Sequence, residues 1–289
     1  MKQNNLIIEG VVVLYNPDES ILKNIESYVN EINKLYIVDN SENKNKDLIN
    51  KIEKISNKCI YIDNNGNKGI AYALNIGAKM AINNRADFLL TMDQDSCFLG
   101  KNLQILLNYI LNINDYKNIG IVSPAHSTHL KNSKIYTDEE KVMTIMTSGN
   151  LINLDAFKVI GGFKDYYFID AVDWEYCLNL NVNNYKIIKF NKSILEHNLG
   201  DSSTHKSFFN KYIEVYNHNK IRKYYIIRNK LLISKEYFKY YPKLSLLYIK
   251  SIFVDFKNVI FYEKNKIEKI KYMLKGIYHF FCNKFGKIE

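Results

Sequence analysis

Phe88-Leu89-Leu90-Thr91-Met92-Asp93-Gln94-Asp95 decides how this chain is read. A nearly unbroken apolar run leads straight into two carboxylates. A run with no polar side suits a strand buried on both faces, as in a parallel sheet covered by helices. Residues i and i+2 of an extended segment point the same way, so Asp93 and Asp95 share one side and Gln94 faces away. Such a pair suits a hard divalent cation. Mg²⁺ or Mn²⁺ takes one or two protein carboxylates and fills its octahedron with phosphate oxygens and water, so the pair can tether a nucleotide diphosphate. Taken alone, the same three residues also describe a solvated turn, and the surrounding sequence must decide.

Upstream, strand-like and helix-like stretches alternate. Leu6 to Tyr15 reads as a first buried strand ending at Asn16-Pro17, and Ile21 to Ile32 has helical spacing. Leu35 to Val38 is a short strand running into Asp39-Asn40-Ser41, and Ile60 to Ile62 another running into Asp63-Asn64-Asn65-Gly66-Asn67-Lys68-Gly69. Ala71 to Ile82 is helical. Downstream, Leu103 to Ile113 is helical, Ile119 to Ser123 a strand, His126 to Glu140 a polar loop and Val142 to Leu154 a strand. Gly161-Gly162 marks a turn, and Tyr166 to Leu180 passes through a group of acids into a helix. This rhythm predicts an α/β fold, a mostly parallel sheet with helices on both faces. Ligand chemistry in such folds gathers at the carboxyl ends of the strands, where the polar residues of this sequence cluster.

Asp39-Asn40 and the stretch Asn67-Lys68-Gly69 to Asn75-Ile76-Gly77 follow two other strands, hence lie on the same edge. They read either as nucleoside contacts, with glycines letting the backbone approach a ligand, or as ordinary turn formers. Asp170, Asp173 and Glu175 crowd three acids into six residues. Crowding raises carboxylate pKa values and suits a general base, whereas the plain alternative is a helix start collecting acids for its dipole. His197 reads as a metal or diphosphate ligand or as a structural histidine. The other five, His126, His129, His205, His218 and His279, show no ligand spacing and receive no role.

The composition narrows the classes. With 289 residues, 47% of them hydrophobic, the chain can bury a full core, so disorder is not the default expectation. Cys59, Cys97, Cys177 and Cys282 are far apart with no CxxC pair, which argues against a zinc ribbon or a disulfide framework and for a reducing, cytoplasmic compartment. Met1 to Gly10 lacks the pattern of a signal peptide, and no apolar run approaches the ~18 residues of a spanning helix. The charge is lopsided: residues 221–289 hold 16 Lys/Arg against 5 Asp/Glu, whereas the preceding 220 hold 24 against 25. That shift divides the chain into a catalytic domain, 1–220, and a basic, aromatic-rich helical extension, 221–289. In the extension Ile249, Ile252, Phe253, Phe256, Val259, Ile260, Ile267, Ile270 and Leu274 share one face at ~100° per residue. Lys243, Lys250, Lys257, Lys264 and Lys271 recur every seven beside it. The face either packs on the protein or lies on an anionic membrane surface; nucleic acid is disfavoured because the aromatics keep burial spacing and no nucleic-acid motif appears.

The assembled motifs resemble family 2 glycosyltransferases of the GT-A fold, within them the bacterial rhamnosyltransferase-like branch. The resemblance runs in order through Val13–Pro17, Val38–Ser41, Asn67–Gly77, Met92–Ser96, Thr147-Ser148-Gly149-Asn150, Gly161-Gly162-Phe163, Phe168–Leu178, His197–Asp201 and Tyr224–Asn229. It implies a Rossmann-like nucleotide-diphospho-sugar transferase that moves a sugar, with inversion, onto a hydroxyl of a growing polysaccharide or lipid-linked saccharide. Asp93 and Asp95 would then hold the metal and diphosphate together with His197. Tyr15, Asp39, Asn67, Lys68, Gly69, Asn75 and Gln94 would border the donor, and Asp173 would be the base. dTDP-L-rhamnose is the implied donor, with UDP-sugars as the alternative, and the basic extension would keep the enzyme peripheral on the inner face of the membrane. The chain departs from the family at Asn179, where Arg usually follows the Cys-Leu pair. A sugar-1-phosphate nucleotidyltransferase would want a glycine-rich basic loop after the first strand, which Tyr15-Asn16-Pro17-Asp18 does not supply.

Overall fold

The computed structural model describes residues 6–113, 115–127, 137–197, 202–206 and 212–288, with backbone alone for 197, 202–206 and 212–216. The chain forms two compact units, Met1–Lys164 with Asp173–Asn198, and Asp165–Val172 with Leu199–Glu289.

The first unit alternates strand and helix: β1 (Ile8–Leu14), α1 (Ser20–Glu26), β2 (Lys34–Asp39), α2 (Lys46–Ile55), β3 (Cys59–Asp63), α3 (Ile70–Asn83) and β4 (Phe88–Asp93). It continues through β5 (Ser96–Phe98), α4 (Asn102–Leu111), β6 (Ile119–His126), β7 (Glu139–Lys141), β8 (Asn150–Asn153), α5 (Leu154–Ile160), α6 (Val172–Val182) and β9 (Lys186–His197). The strands form one sheet in the order β3-β2-β1-β4-β8-β6-β9-β5, with β7 on β9. The β3-β2-β1-β4 half is parallel, as the apolar runs predict, and the unalternating burial of β1 and β4 follows from helices on both faces.

The other half is mixed, because β8 enters antiparallel between β4 and β6. The strand read over Val142–Leu154 shrinks accordingly to Asn150–Asn153. Side chains occupy the carbonyls that a longer strand would offer a neighbour. Asn181 donates to Met143 O, the Cys177 thiol to Ile145 O, and Asn150 to Met146 O. Gly149, at φ +82°, then turns the chain where Pro124 and Leu195 leave no room for a Cβ.

Gly77 in α3 has a packing role. A Cβ there would lie 2.4 Å from Val11 Cγ2 on β1, so the missing side chain lets helix and strand touch. Gly77→Ala should cost about 1–3 kcal/mol through overpacking, outweighing the ~1 kcal/mol that alanine gains in a helix. A lowered urea midpoint would show it; an unchanged or raised one would mean that the contact is slack.

The second unit holds the hairpin β10 (Ser202–Lys206) with β11 (Tyr212–Tyr216) and three helices, α7 (Lys220–Tyr237), α8 (Pro242–Tyr262) and α9 (Lys266–Phe281). Asn265, at φ +53°, breaks the extension's helical pattern between α8 and α9. The helices meet through Ile227, Ile252, Val259 and Met273 and through a buried ionic triad. Glu263 accepts from Lys223 Nζ at 2.5 Å and from Lys269 Nζ at 2.8 Å.

The apolar positions of α8 and α9 do not all share one face. Ile252 and Val259 are buried, but Phe253, Ile260, Ile267 and Leu274 are exposed, so packing claims only part of the predicted stripe. Among the described residues all four cysteines are free, and no helix is long and apolar enough to cross a membrane.

Candidate functional site

The parallel register aligns the ends of four strands. Leu14 is level with Asp39, Asp39 with Asp63, and Val13 with Asp93, so the segments after β1, β2, β3 and β4 open on one edge. Asp93 closes β4 half-buried, and Gln94-Asp95 is a tight turn into β5, not the extended segment the spacing predicts. Gln94 reaches the end of β1. Its Oε1 accepts from Tyr15 N at 2.8 Å and its Nε2 donates to Tyr15 O at 3.3 Å. A side-chain amide therefore pairs with the backbone as a further rung of the β1–β4 ladder, fixing Tyr15, which stays half-exposed, beside the turn.

Asp39 is buried, with Oδ1 accepting from Ser41 N and Oδ2 from the Tyr61 hydroxyl. Burial, and behind it the Asp39 hydrogen bond, push that Tyr61 phenol up. Asn40 and Asn64 are buried next to it, bonded at 2.6 Å, and Asn40 also donates to Gly69 O. Asn67 Oδ1 accepts from Gly69 N, and Gly69 holds the φ of +94° that starts α3. Lys68 is exposed, its ammonium 5.3 Å from the Tyr72 ring centroid. Asn75 lies farther along α3, where its amide exchanges two hydrogen bonds with the backbone of Phe163. That explains why the Asn75 and Gly162-Phe163 motifs go together, and it gives Asn75 a structural duty.

Thr147-Ser148-Gly149 clamps onto the end of β4. Ser148 Oγ accepts from Asp93 N at 3.0 Å, Gly149 N donates to Thr91 O at 2.7 Å, and Thr91 Oγ1 donates to Thr147 O. Buried His126, at the end of β6, reaches the same segment, its Nε2 2.9 Å from Ser148 O. His126 and Ser148 are the site's members that residue spacing missed. The Thr147–Asn150 motif was the only signal, and nothing local marks His126.

Asp173 occupies the first turn of α6, half-buried, with Oδ1 accepting from Trp174 N. It borders a small cavity with Thr147, Asn150 and Tyr176, so it adjoins the segment that grips β4. Phe168, Asp170 and Ala171, just before it, all have positive φ, backbone that non-glycine residues adopt only when held there. Two of the three acids are paired with cations. Glu175, fully buried, pairs with Lys164 at 2.8 Å, and Asp170 pairs with Arg222 at 3.1 Å inside the second unit. Burial pushes the Asp170 carboxyl up, and Arg222 pulls it back. Asn179, where the family's Arg would stand, donates to Ile160 O.

The donor set suits a hard cation. Asp93 and Asp95 are hard oxygen ligands of the type Mg²⁺ or Mn²⁺ takes, and no group of three His, Cys, Asp or Glu gathers among the described residues. His197 pairs with Ser96 along the backbone; its side chain lies outside the described residues.

Residues 11–146 match the family model described as glycosyl transferase family 2. The chain is 27% identical to the dTDP-rhamnosyl transferase RfbF of Shigella flexneri over 92% of its own length and 93% of that protein's. Among solved structures, S. aureus TarS in complex with UDP-GlcNAc superposes with a TM-score of 0.60 at 14% identity, covering 95% of this chain and 80% of that one. The mannosyltransferase from Pyrobaculum calidifontis in complex with GDP-Man and Mn²⁺ does so with 0.59 at 11%, covering 96% and 87%. These structures share the fold, and the edge built by β1 to β4 is the one on which the motifs sit. Residues 11–146 thus carry the family 2 glycosyltransferase pattern, and the chain as a whole is similar to a bacterial rhamnosyltransferase that uses a nucleotide sugar.

Proposed function

We propose that the enzyme transfers L-rhamnose from dTDP-L-rhamnose, with inversion, to a hydroxyl of a saccharide acceptor carried on lipid at the cytoplasmic face of the membrane. The observation that supports this reading is that Thr147–Asn150 bonds to the end of β4 and lines one small cavity with Asp173 at the head of α6. The likeness to the Shigella transferase over nearly the whole of both chains supports the donor.

In this reading Asp39 and Asn67 hold the nucleoside, Tyr15 and Lys68 flank it, Gly69 shapes the loop, and Gln94 and Asn75 act indirectly by fixing Tyr15 and Phe163. Asp93 and Asp95, with His197, hold the cation. A bound Mg²⁺ or Mn²⁺ supplies positive charge that stabilises the departing diphosphate. Asp173 takes the proton of the acceptor hydroxyl as its oxygen attacks the anomeric carbon opposite the diphosphate. The carbon–oxygen bond to the diphosphate breaks, dTDP leaves, and no covalent enzyme intermediate forms.

Thermal unfolding with a panel of nucleotide sugars tests the donor, since a ligand at about a hundred times its Kd stabilises the fold by about 2.7 kcal/mol. With Mn²⁺ present, dTDP-rhamnose should raise the midpoint above the values with UDP-GlcNAc or GDP-mannose. A larger shift with a UDP-sugar would replace the donor by the alternative. EDTA should abolish both the shift and the transfer, and added Mn²⁺ should restore them. Transfer that persists in EDTA would remove the metal from the mechanism.

A further inference from the structure

Helix α8 is apolar on two opposite sides. Ser245, Ile252 and Val259, seven apart, are buried, with Ile252 and Val259 packed against the other helices of the unit. On the opposite side Leu246, Leu247, Phe253, Val254, Ile260 and Phe261 recur in pairs every seven residues, each between 44% and 72% exposed. Lys243, Lys250 and Lys257 lie exposed between the pairs, and Lys264 extends the series past the helix end. The helix's one acid, Asp255, is paired with Lys230 at 2.5 Å and leaves the outer face without negative charge. An ordinary surface helix has a single apolar stripe and a polar back; here the back carries a second stripe.

We infer that this outer face of α8 docks flat on an anionic lipid leaflet, its aromatic and aliphatic pairs entering the headgroup–acyl boundary and its lysines meeting lipid phosphates. The charge pattern selects this occupant over a second copy of the chain. A two-fold pair would set the same surface against itself, lysine row against lysine row, whereas a bilayer of anionic lipid complements it. A 21-residue helix is about 30 Å long and can rest along the surface, and it is not long and apolar enough to cross. The inference gives the lipid-carried acceptor proposed above a physical setting and rests on that reading for its purpose, but not for its test.

Vesicle co-sedimentation of the full chain, without donor or acceptor, is the experiment. Vesicles of phosphatidylglycerol and phosphatidylcholine should retain the protein at low salt, and phosphatidylcholine alone should not. The double variant Phe253→Ser with Phe261→Ser, both exposed, should bind the anionic vesicles roughly tenfold less. Lys250→Glu with Lys257→Glu should do the same, and transfer to a soluble acceptor should stay at the wild-type level in both. Equal binding to neutral vesicles, or retention unchanged in both variants, would overturn the inference. So would a wild-type dimer in light scattering that Phe253→Ser converts to monomer, because a second copy would then be the occupant. Loss of soluble-acceptor transfer in the wild type would overturn the proposed reaction and leave vesicle binding untouched.

Discussion

Asp173→Asn is expected to cut transfer by about 10²- to 10⁴-fold, the usual worth of a positioned general base, and to leave donor binding unchanged. The substitution keeps an acceptor oxygen for Trp174 N, so the start of α6 and the neighbouring cavity should persist. What disappears is a group able to take a proton at neutral pH. Thermal shift by the donor separates the two possibilities: a variant that still responds to dTDP-rhamnose but turns over slowly has lost the base alone. Activity at about a tenth of the wild type would be too high for a missing base and would place proton removal elsewhere.

The largest stability effect is expected at Glu263. Its carboxylate is fully buried and is shared by two buried ammonium groups, with Asn217 Oδ1 accepting from one of them, Lys269, at 2.6 Å. Glu263→Gln keeps the shape and removes the charge that both lysines face. Stripping the partner from a buried ion pair costs on the order of 3–5 kcal/mol, a large share of a domain's stability. Urea unfolding followed by far-UV circular dichroism measures it. Glu268→Gln is the control, because its pair with Lys220 is exposed and such pairs are worth about 0–1 kcal/mol. Equal midpoints for the two variants would mean that the triad is solvated in solution.

Local chemistry made the first half of the molecule legible. The apolar runs Ile8–Leu14 and Phe88–Asp93 can be strands only inside a covered sheet, and their polar ends then fall on one edge without further information. The mixed half was hidden because its strands are short or depend on distant partners. β8 is four residues long, and the segment before it looks like a strand in composition while its carbonyls serve Asn150, Cys177 and Asn181. His126 joined the site through a bond to Ser148, 22 positions away, which spacing cannot reveal. The pairing of Asp170 and Glu175 was hidden for a related reason. Neighbours in sequence, Asp170 and Glu175 find separate cations, Arg222 and Lys164, brought near by the fold. In the extension the heptad of lysines was plain, but the division of the apolar residues between two sides of α8 depends on what α7 and α9 cover.

Residues 286–288 are tied into the second unit by the buried side chain of Arg228 and by Tyr225. Its Nη1 donates to Gly286 O at 2.7 Å and its Nη2 to the carbonyls of Tyr166 and Tyr167, while Ile288 N donates to the Tyr225 hydroxyl. Losing the backbone at Gly286 would take away one of the oxygens that solvate this guanidinium and leave a buried charge short of a partner.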